Sequence, residues 1–508
     1  MLDMGEPFKI DMLARNLIRL NGLIPGKDIE IEYIGLRPGE KIFEEPLMWE
    51  EGMRKTPHPR IYVANSTRID IDAFLQNLQD FFRAAMDNSS EIKTMFAKVV
   101  NSYHGSGSSS VDAQNTDKLD NQESINHLEC VALNFRIEGK VNAIIPFNKG
   151  YINRTYRVET STEDGAVFNY TLQRINTEVF KDPGKLMDNF VRVTEHLSKY
   201  LHLPWNPEMP ANQKVIRTRD GKSFYSDFSG SWRMLTYFDK VHSYDVPESI
   251  EVFHDSGVVF GLFAKAMGDF PGKMPFEVIP NFHNTFSRYQ DLEKAIQDNR
   301  AKRLDGVRKE IEFIRKHSKL FQLIPDALQK GLIPLRIAHN DCNLNNVLFD
   351  DRTNKPCAVI DLDTVMPSTV LYDFGDSMRI GTNHAKDDEK DLSKVYCDLK
   401  LYEAYARGWL EACGECLTEK ELELLPYASI IISFEDGIRF LMDYLNGDIY
   451  YYIFYLGQNL DRARTQLKLA EDMLQKLPEI KKILPKILKD LGIKVPAGLT
   501  ENQKESEL

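Results

Sequence analysis

The chain has 508 residues, a length that predicts more than one domain. Its net charge of −12 argues against a nucleic-acid-binding protein, which needs a basic face. No apolar run reaches the roughly eighteen residues of a membrane helix, and the N-terminus lacks the apolar core of a signal peptide. We therefore expect a cytoplasmic globular protein that binds neither nucleic acid nor membrane.

The first part of the chain predicts a small α/β segment, residues 1–100. Residues 10–20 have the apolar spacing of an amphipathic helix, residues 29–34 alternate like a short strand, and residues 69–100 have a helical pattern. Residues 101–125 are polar and rich in glycine and serine. Such a segment cannot bury enough apolar surface to offset its ordering entropy, so we interpret it as a flexible linker.

Two stretches of this segment carry a family resemblance. They are residues 4–10 (MGEPFKI) and residues 35–41 (GLRPGEK), and both resemble the C-terminal end of bacterial nucleotide-sugar epimerases and dehydratases that make polysaccharide precursors. Those families begin with a Rossmann unit that has a glycine-rich dinucleotide loop. The resemblance covers only the tail of the family, without that unit or its catalytic Tyr/Lys region. We therefore assign residues 1–100 no activity of their own.

The rest of the chain changes from strands to helices. Residues 135–139, 156–160 and 168–175 have strand patterns, and the helical patterns that follow span residues 186–201, 248–267, 292–319 and 420–445. This order predicts an α+β, two-lobed fold like that of protein kinases, with a small β-rich N-lobe and a large, mostly helical C-lobe. We place the N-lobe at residues 126–230, the C-lobe at 231–490 and a tail at 491–508.

The strongest chemical signal is the spacing of His339, Asp341, Asn346 and Asp361. Residues 351–356 form a polar turn between two short apolar runs, which predicts a hairpin. If the strands pair symmetrically, Asp361 lies opposite Asn346, with Asp341 just upstream. Oxygens of Asn and Asp suit Mg²⁺ on nucleotide phosphates, and a further carboxylate can accept the proton of an attacking hydroxyl. Each residue alone is typical of a turn cap, but the four together favour phosphoryl transfer.

Further motifs make this resemblance specific. The runs VIDLDTVMP (residues 359–367) and YDFGD (residues 372–376) are similar to the aminoglycoside/choline phosphotransferase superfamily, and in particular to the N-acetylhexosamine 1-kinases, over nearly all of residues 130–490. The resemblance implies that Asp341 is the catalytic base and contacts substrate. It also implies that Asn346 and Asp361 bind the metal and that Asp363 is a supporting or substrate-binding carboxylate.

The nucleotide side departs from the kinase pattern. Residues 147–158 stand where kinases have a phosphate-covering loop, but they contain a single glycine, Gly150, and an ordinary hairpin explains them as well. The strand of residues 170–175 has no phosphate-pairing lysine, so Arg174 or Gln173 must substitute. Because an arginine can bind phosphate through two hydrogen bonds, we expect Gly150 and Arg174 to bind the nucleotide.

Two segments are expected to form the acceptor pocket. Residues 279–285 form a loop with His283, and the predicted C-lobe helix carries Arg439 before a turn that leads to Tyr450. The resemblance implies that Arg439 and Tyr450 line the sugar and phosphate site. His283 is either a substrate ligand or a histidine that satisfies local backbone groups.

These residues leave three hypotheses for the whole protein. The first is a kinase that uses ATP and Mg²⁺ to phosphorylate the anomeric hydroxyl of an N-acetylhexosamine, with the sugar and ATP as its small-molecule partners. The second is a kinase of the same fold that acts on an amino alcohol or an aminoglycoside. The third is a non-catalytic pseudokinase or scaffold, which the missing strand lysine favours. The sequence leaves the oligomeric state open.

Overall fold

The structure, a computed structural model, describes Ile18, Ile31 and residues 53–55, 62–64, 127–147, 152–207 and 210–500. The chain forms two compact units, Met1–Leu119 and Asp120–Leu508. In the first unit, strands β1 (Met53–Lys55) and β2 (Tyr62–Ala64) pair antiparallel. Ile18 is helical, as predicted, and Ile31 has no regular secondary structure. The predicted linker, the predicted helix of residues 69–100 and Gly150 lie outside the described residues.

An antiparallel sheet forms the small lobe of the second unit. Its strand order is β3-β4-β5-β8-β6, with β7 paired to β8. The strand bounds are β3 (Lys140–Pro146), β4 (Arg154–Ser161), β5 (Val167–Ile175), β6 (Val215–Ile216), β7 (Tyr225–Asp227) and β8 (Gly230–Thr236). Helix α1 (Pro183–Tyr200) follows β5, and the Asp182 side chain caps it by accepting a hydrogen bond from the Lys185 amide at 3.0 Å.

The two faces of this sheet have different neighbours. Cross-strand partners share a face, and Leu172 is paired with both Tyr156 and Met234. Leu172 and Met234 are buried in a small hydrophobic core against residues 127–135. The opposite face carries Arg233, whose guanidinium carbon lies 4.6 Å from the centre of the Phe190 ring on α1. That second face is the one that looks towards the large lobe.

The large lobe is mostly helical and contains most of the main hydrophobic core. Two small antiparallel sheets border it, one with the order β12-β11-β9 and one that pairs β10 with β13. The strand bounds are β9 (Val241–His242), β10 (Arg336–Ala338), β11 (Val347–Asp350), β12 (Pro356–Val359) and β13 (Met366–Ser368). The helix bounds are α2 (Ile250–Gly268), α3 (Thr285–Asp298), α4 (Arg308–Lys316), α5 (Leu323–Gln329), α6 (Val370–Gly381), α7 (Leu399–Cys413), α8 (Glu419–Asn446), α9 (Gln458–Gln475), α10 (Leu477–Asp490) and α11 (Ala497–Thr500).

Helix α2 crosses α7 at close range, and it also packs against the loop that follows β10. A Cβ atom on Gly257 would lie 2.6 Å from the Tyr405 carbonyl oxygen on α7, and one on Gly261 would lie 2.7 Å from the Trp409 carbonyl oxygen. Only glycine permits this approach. The same helix supplies Phe260 and Phe263, whose rings hold a buried histidine of the candidate site.

The predicted two-lobed α+β architecture is confirmed, but several boundaries differ. The predicted strand of residues 135–139 is a single bridge at Phe135, because the strand begins only after Gly139, which has a positive φ of 78°. The predicted helix of residues 292–319 breaks after α3, where Asn299 adopts a left-handed φ of 38°.

Two of the predicted lobe limits also move. β8 completes the small sheet although it lies almost entirely beyond the limit at residue 230. Leu499, in the predicted tail, is buried in the large core. Among the described residues, no helix is both long and apolar enough to cross a membrane.

Candidate active site

The predicted hairpin is present, with a register one residue away from the expected one. Val347 is paired with Val359, and the Ile360 amide donates to the Asn346 carbonyl oxygen at 2.9 Å. A β-bulge between Leu348 and Phe349 sets this register, which symmetry about the turn does not anticipate. Asp361 therefore comes one residue beyond the partner of Asn346.

The loop that carries Asp341 is fixed by a buried carboxylate on α6. Asp373 accepts hydrogen bonds from the His339 amide at 2.9 Å and from the Asn340 amide at 2.7 Å. Burial raises the pKa of Asp373 to about 6, although these two hydrogen bonds act in the opposite direction. Asn340 has a φ of 64°, so the loop turns through a backbone conformation that asparagine tolerates well.

His339 supports this loop as a buried, neutral imidazole. Its ring lies edge-on to Phe260 and Phe263, and its Nε2 atom lies 3.2 Å from the Ile360 carbonyl oxygen. Burial lowers the pKa of His339 to about 4, which keeps the imidazole neutral at physiological pH. The histidine thus links the loop to the strand end that precedes Asp361.

Asp341 is half-buried and accepts hydrogen bonds from two asparagines of its own loop. Asn343 donates to Oδ1, while the Asn346 amide nitrogen lies 3.2 Å from Oδ2 and 2.9 Å from the Asp341 carbonyl oxygen. Burial, and then the negative charges of Asp361 and Asp376, raise the pKa of Asp341 well above its usual range. The hydrogen bonds orient the Asn346 amide group so that its Oδ1 points away from Asp341.

Asp361 has the features of a metal ligand. Its backbone is left-handed, with a φ of 59° and a ψ of 56°, a conformation that occurs at functional sites. Its side chain is exposed and has no hydrogen-bond partner among the described residues. Desolvation by the surrounding protein, and then the Asp363 carboxylate, raise the pKa of Asp361 to about 6.

The donor atoms present fit a divalent cation such as Mg²⁺. Hard oxygen ligands are available on Asp361 and on the amide of Asn346, and Mg²⁺ typically binds through one or two carboxylates together with substrate phosphates and water. No group of three His, Cys, Asp or Glu side chains within the described ranges is arranged to hold a metal ion. Phosphates and water would complete the coordination of a cation held by Asp361 and Asn346.

Asp363 forms a buried ion pair with Arg233 of β8. The Arg233 Nη2 atom lies 2.8 Å from Asp363 Oδ2, and Nη1 donates to Oδ1. The Asn153 side chain donates to the same Oδ2 at 2.7 Å. The Asp363 carboxylate thus bonds to the small lobe, and the substrate contact assigned to it stays a prediction.

Arg174 is not brought to the carboxylate cluster. It is paired in register with Arg154 and Trp232, while its neighbour Gln173 is paired with Arg233 on the opposite face. The Arg174 side chain lies over Gly230, where a Cβ atom would lie 2.9 Å from its Nε. Because successive strand residues point to opposite faces, Gln173 faces the cleft between the lobes and Arg174 faces away from it.

Arg439 belongs to a chain of alternating charges that begins near Asp341. Asp376 pairs with Arg379 at 2.8 Å, Arg379 with Asp436 at 3.2 Å, and Asp436 with Arg439 at 3.1 Å. Since Asp376 also acts on the pKa of Asp341, the chain connects the expected base with Arg439.

Tyr450 lies near Arg439, at the outer end of this series of alternating charges. Its side chain is 71% exposed, and its backbone amide donates to the Asp443 carboxylate at 2.9 Å, as do the amides of Ile449 and Tyr451. The guanidinium of Arg439 lies 5.6 Å from the Tyr451 ring centre. The loop after α8 therefore holds Tyr450 in the open, where a ligand can reach it.

His283 binds protein groups through both ring nitrogens. Its Nδ1 lies 2.9 Å from Glu435 Oε1, and its Nε2 lies 2.9 Å from the Asn340 carbonyl oxygen. Burial alone would lower the pKa of His283, but the Glu435 charge outweighs it and raises that pKa to about 9. The Nε2 contact satisfies a backbone carbonyl, which is one of the two predicted roles, and the role as a substrate ligand stays a prediction.

The His283–Glu435 pair predicts a pH-dependent stability. Since the folded pKa of His283 is raised above its ordinary value of 6.5, the pair stabilises the fold fully below about pH 6.5, and this contribution is lost as the pH rises through about 9. Glu435→Gln should lower the free energy of unfolding by about 3 kcal/mol at pH 6, the cost of breaking a buried pair. Denaturant unfolding at pH 6, 7.5 and 9.5 should show this difference shrinking, and a constant difference would contradict the assignment.

A model described as the phosphotransferase enzyme family matches residues 143–416, which is more than half of the chain. The chain belongs to this family. Its matched range begins within β3 and extends past the end of α7, and thus contains Asp341, Asn346 and Asp361.

Two solved structures are similar to this chain over 70% or more of its length. An aminoglycoside phosphotransferase from Alicyclobacillus acidocaldarius is 12% identical, covers 70% of this chain and 96% of its own, and has a TM-score of 0.46. A choline kinase from Cryptosporidium parvum is 14% identical, with 74% and 99% coverage and a TM-score of 0.44. With such low identity, the roles of the site residues depend on the geometry of this chain.

The N-terminal part has a different relationship. Residues 1–66 match a family model described as polysaccharide biosynthesis protein. A probable polysaccharide biosynthesis protein of Bacillus subtilis, EpsC, is 40% identical over 80 residues. That stretch is 16% of this chain and spans only 13% of the relative. The predicted resemblance to polysaccharide-precursor proteins is confirmed as a similarity, and its assignment to their C-terminal end stays a prediction.

Several residues of the site are not among those predicted from the sequence. Arg233, Glu435 and Asp373 contact the expected site residues across 130, 152 and 34 positions of sequence, respectively. The signal available for Arg233 is a charged residue inside the apolar strand SWRML, and for Glu435 a carboxylate inside the long apolar helix α8. A buried charge in such a position requires a partner.

Proposed function

We propose that this phosphotransferase transfers the γ-phosphoryl group of ATP to the anomeric hydroxyl of an N-acetylhexosamine and releases a sugar 1-phosphate. The observation that carries the proposal is the grouping of Asp341, Asn346 and Asp361 at one end of a hairpin, with Asn346 bonded to Asp341 and Asp361 free to bind a cation. This set of residues suits the positioning and charge neutralisation on which phosphoryl transfer depends.

Each residue of this set has a separate task in the proposal. Asn343 and Asn346 orient the Asp341 carboxylate, which accepts the proton of the sugar hydroxyl as the new O–P bond forms. Asn346 Oδ1 and Asp361 would hold Mg²⁺, which supplies neutralisation of the phosphate charges when bound. A cation held by Asn346 and Asp361 would also favour the ionised form of Asp341, whose pKa is raised by burial and by the neighbouring carboxylates.

The charges around the acceptor side support a neutral sugar. Arg379 and Arg439 alternate with Asp376 and Asp436 in this series of ion pairs, so their charges balance and the series offers no excess negative charge for a polycationic aminoglycoside. Arginines near the base also suit a product that carries a phosphate group. The exposed ring of Tyr450 offers an apolar surface for the face of a sugar ring. Together with the resemblance of residues 359–367 to hexosamine kinases, these features favour an N-acetylhexosamine.

A cationic acceptor is the second candidate. Asp376, Glu435 and Asp436 supply carboxylates on the same side, and an amino alcohol with a single positive charge is compatible with them.

A sugar 1-phosphate is a precursor for nucleotide-sugar synthesis, which agrees with the similarity of residues 1–66 to polysaccharide biosynthesis proteins. This agreement is associational. On the same associational ground, we propose a cytoplasmic location for this ATP-dependent enzyme.

The test is a coupled assay of ADP release over a panel of acceptors. The panel contains N-acetylglucosamine, N-acetylgalactosamine, glucose, choline and kanamycin, each with ATP and Mg²⁺. We expect turnover with an N-acetylhexosamine and a phosphorus NMR signal of an anomeric phosphate. Turnover with choline alone would replace the sugar by the second candidate. A lack of turnover with every acceptor, in a preparation that binds no nucleotide, would favour the pseudokinase hypothesis.

A further inference from the structure

The ion pair between Arg233 and Asp363 is a deeply buried charge pair beside the site. Both side chains are only 2% exposed. Two hydrogen bonds join the guanidinium to both carboxylate oxygens, a geometry that fixes direction as well as distance. One partner lies on a strand of the small lobe and the other in the turn that begins at Asp361. The pair is therefore a rigid connection between the two lobes.

Polar side chains of the small sheet complete this connection. The Arg233 Nε donates to Gln173 Oε1 at 2.8 Å, and Gln173 Nε2 donates to Thr155 Oγ1 at 3.0 Å. Asn153 donates to Asp363 at 2.7 Å and accepts from the Asn176 amide at 3.0 Å. The network thus ties the end of the predicted phosphate-covering loop, the strand β5 and the Asp361 turn to one guanidinium.

We propose that Arg233 takes the place of the missing strand lysine as a positioning residue, which acts through Asp363 to hold the Asp361 turn in its nucleotide-binding geometry. The inference deepens the proposed function, because it assumes that Asp361 serves the metal-bound nucleotide. It also explains why β5 has no lysine: the neighbouring strand β8 delivers a cation to the same face of the sheet, opposite Gln173.

An arginine suits this position better than a lysine. Its planar fork binds a carboxylate through two parallel hydrogen bonds, whereas an ammonium group is a point charge without a fixed direction. The guanidinium also packs over the Phe190 ring at 4.6 Å. Since its side chain is buried, Arg233 acts on the site through Asp363 and does not require direct contact with solvent or ligand.

The proposal predicts a separation between stability and nucleotide binding. Arg233→Met leaves Asp363 buried without its partner and should destabilise the protein. The double variant Arg233→Met/Asp363→Leu replaces the ion pair by apolar side chains and should recover the melting temperature. We nevertheless expect the double variant to bind the non-hydrolysable ATP analogue AMP-PNP, with Mg²⁺, about 10–100-fold more weakly than the wild type, the usual cost of losing a residue that orients a ligand-binding group. The affinity of Arg233→Lys for AMP-PNP should lie between those of the wild type and the double variant.

Calorimetry of AMP-PNP binding without acceptor is the deciding measurement. The control is Arg217→Met, which removes an arginine of the same lobe from an exposed pair with Glu195 and should bind AMP-PNP as the wild type does. A double variant with wild-type affinity would show that the pair is only structural and would overturn the proposal. Because no sugar is present, failure of the sugar assignment leaves this comparison readable. A wild-type protein that binds no AMP-PNP would overturn both proposals.

Discussion

Asp341→Asn is expected to lower kcat by roughly 10²–10⁴-fold, the range by which a positioned general base accelerates a reaction. The substitution keeps the shape of the side chain and one oxygen that accepts hydrogen bonds from Asn343 or Asn346. It removes the capacity to take a proton, the negative charge and the second accepting oxygen, so one of the two asparagine hydrogen bonds is lost. The KM for ATP should change little, because Asp341 faces the acceptor in the proposed arrangement.

The same variant should be more stable than the wild type. Because the pKa of Asp341 is raised in the folded protein, its contribution to stability is present at low pH and is lost as the pH rises above the ordinary range of an aspartate. At neutral pH, the neutral amide of the variant would remove the repulsion with Asp361 and Asp376. A higher melting temperature together with lost turnover would therefore exclude misfolding as the cause.

Two comparisons make the result decisive. Asp341→Glu keeps the carboxylate but moves it by one methylene, so it should retain more activity than Asp341→Asn if proton transfer is the task and position the lesser requirement. Asp305→Asn, at a side chain that is 91% exposed, controls for the removal of one surface charge and should behave as the wild type. Wild-type kcat in Asp341→Asn would contradict the assignment of the base.

Local chemistry makes the centre of the site predictable. The hairpin around residues 351–356 follows from two short apolar runs and a polar turn, and this pattern alone is enough to predict that Asn346 and Asp361 are neighbours. The error of one residue in the register comes from a β-bulge at Leu348, which has no clear signature in the sequence. The break after α3 is equally hard to predict, because Asn299 inside a helical pattern is compatible with a continuing helix.

Contacts between distant parts of the chain are not predictable in this way. The interpretation of Arg174 as a phosphate ligand depends on its presence in the strand, whereas the face of a strand residue depends on register with the neighbouring strands. The pairing of Arg233 with Asp363 likewise requires knowledge of how β8 meets the turn after β12. The sequence leaves His283 open as a substrate ligand because Glu435, 152 residues away, has no relation to it in the sequence.

Asp361→Asn is expected to lower kcat by about 10²-fold or more, since the stabilisation of transferring phosphate by a bound cation is worth several kcal/mol. The fold should tolerate the change, because asparagine adopts the left-handed backbone of this position as readily as aspartate does. The variant also removes the negative charge beside Asp363, so its melting temperature should not fall.

The measurement that separates metal binding from other effects is the Mg²⁺ dependence of AMP-PNP binding, followed by calorimetry at increasing Mg²⁺ concentration. In the wild type, Mg²⁺ should strengthen nucleotide binding; in Asp361→Asn this increase should be largely lost, while binding without Mg²⁺ stays similar. Asn346→Asp is the matched variant, since it keeps an oxygen ligand but adds a charge next to Asp341, and it should retain Mg²⁺-dependent binding. If Asp361→Asn responds to Mg²⁺ as the wild type does, the negative charge of Asp361 does not hold the cation, and its left-handed backbone and open carboxylate need another explanation.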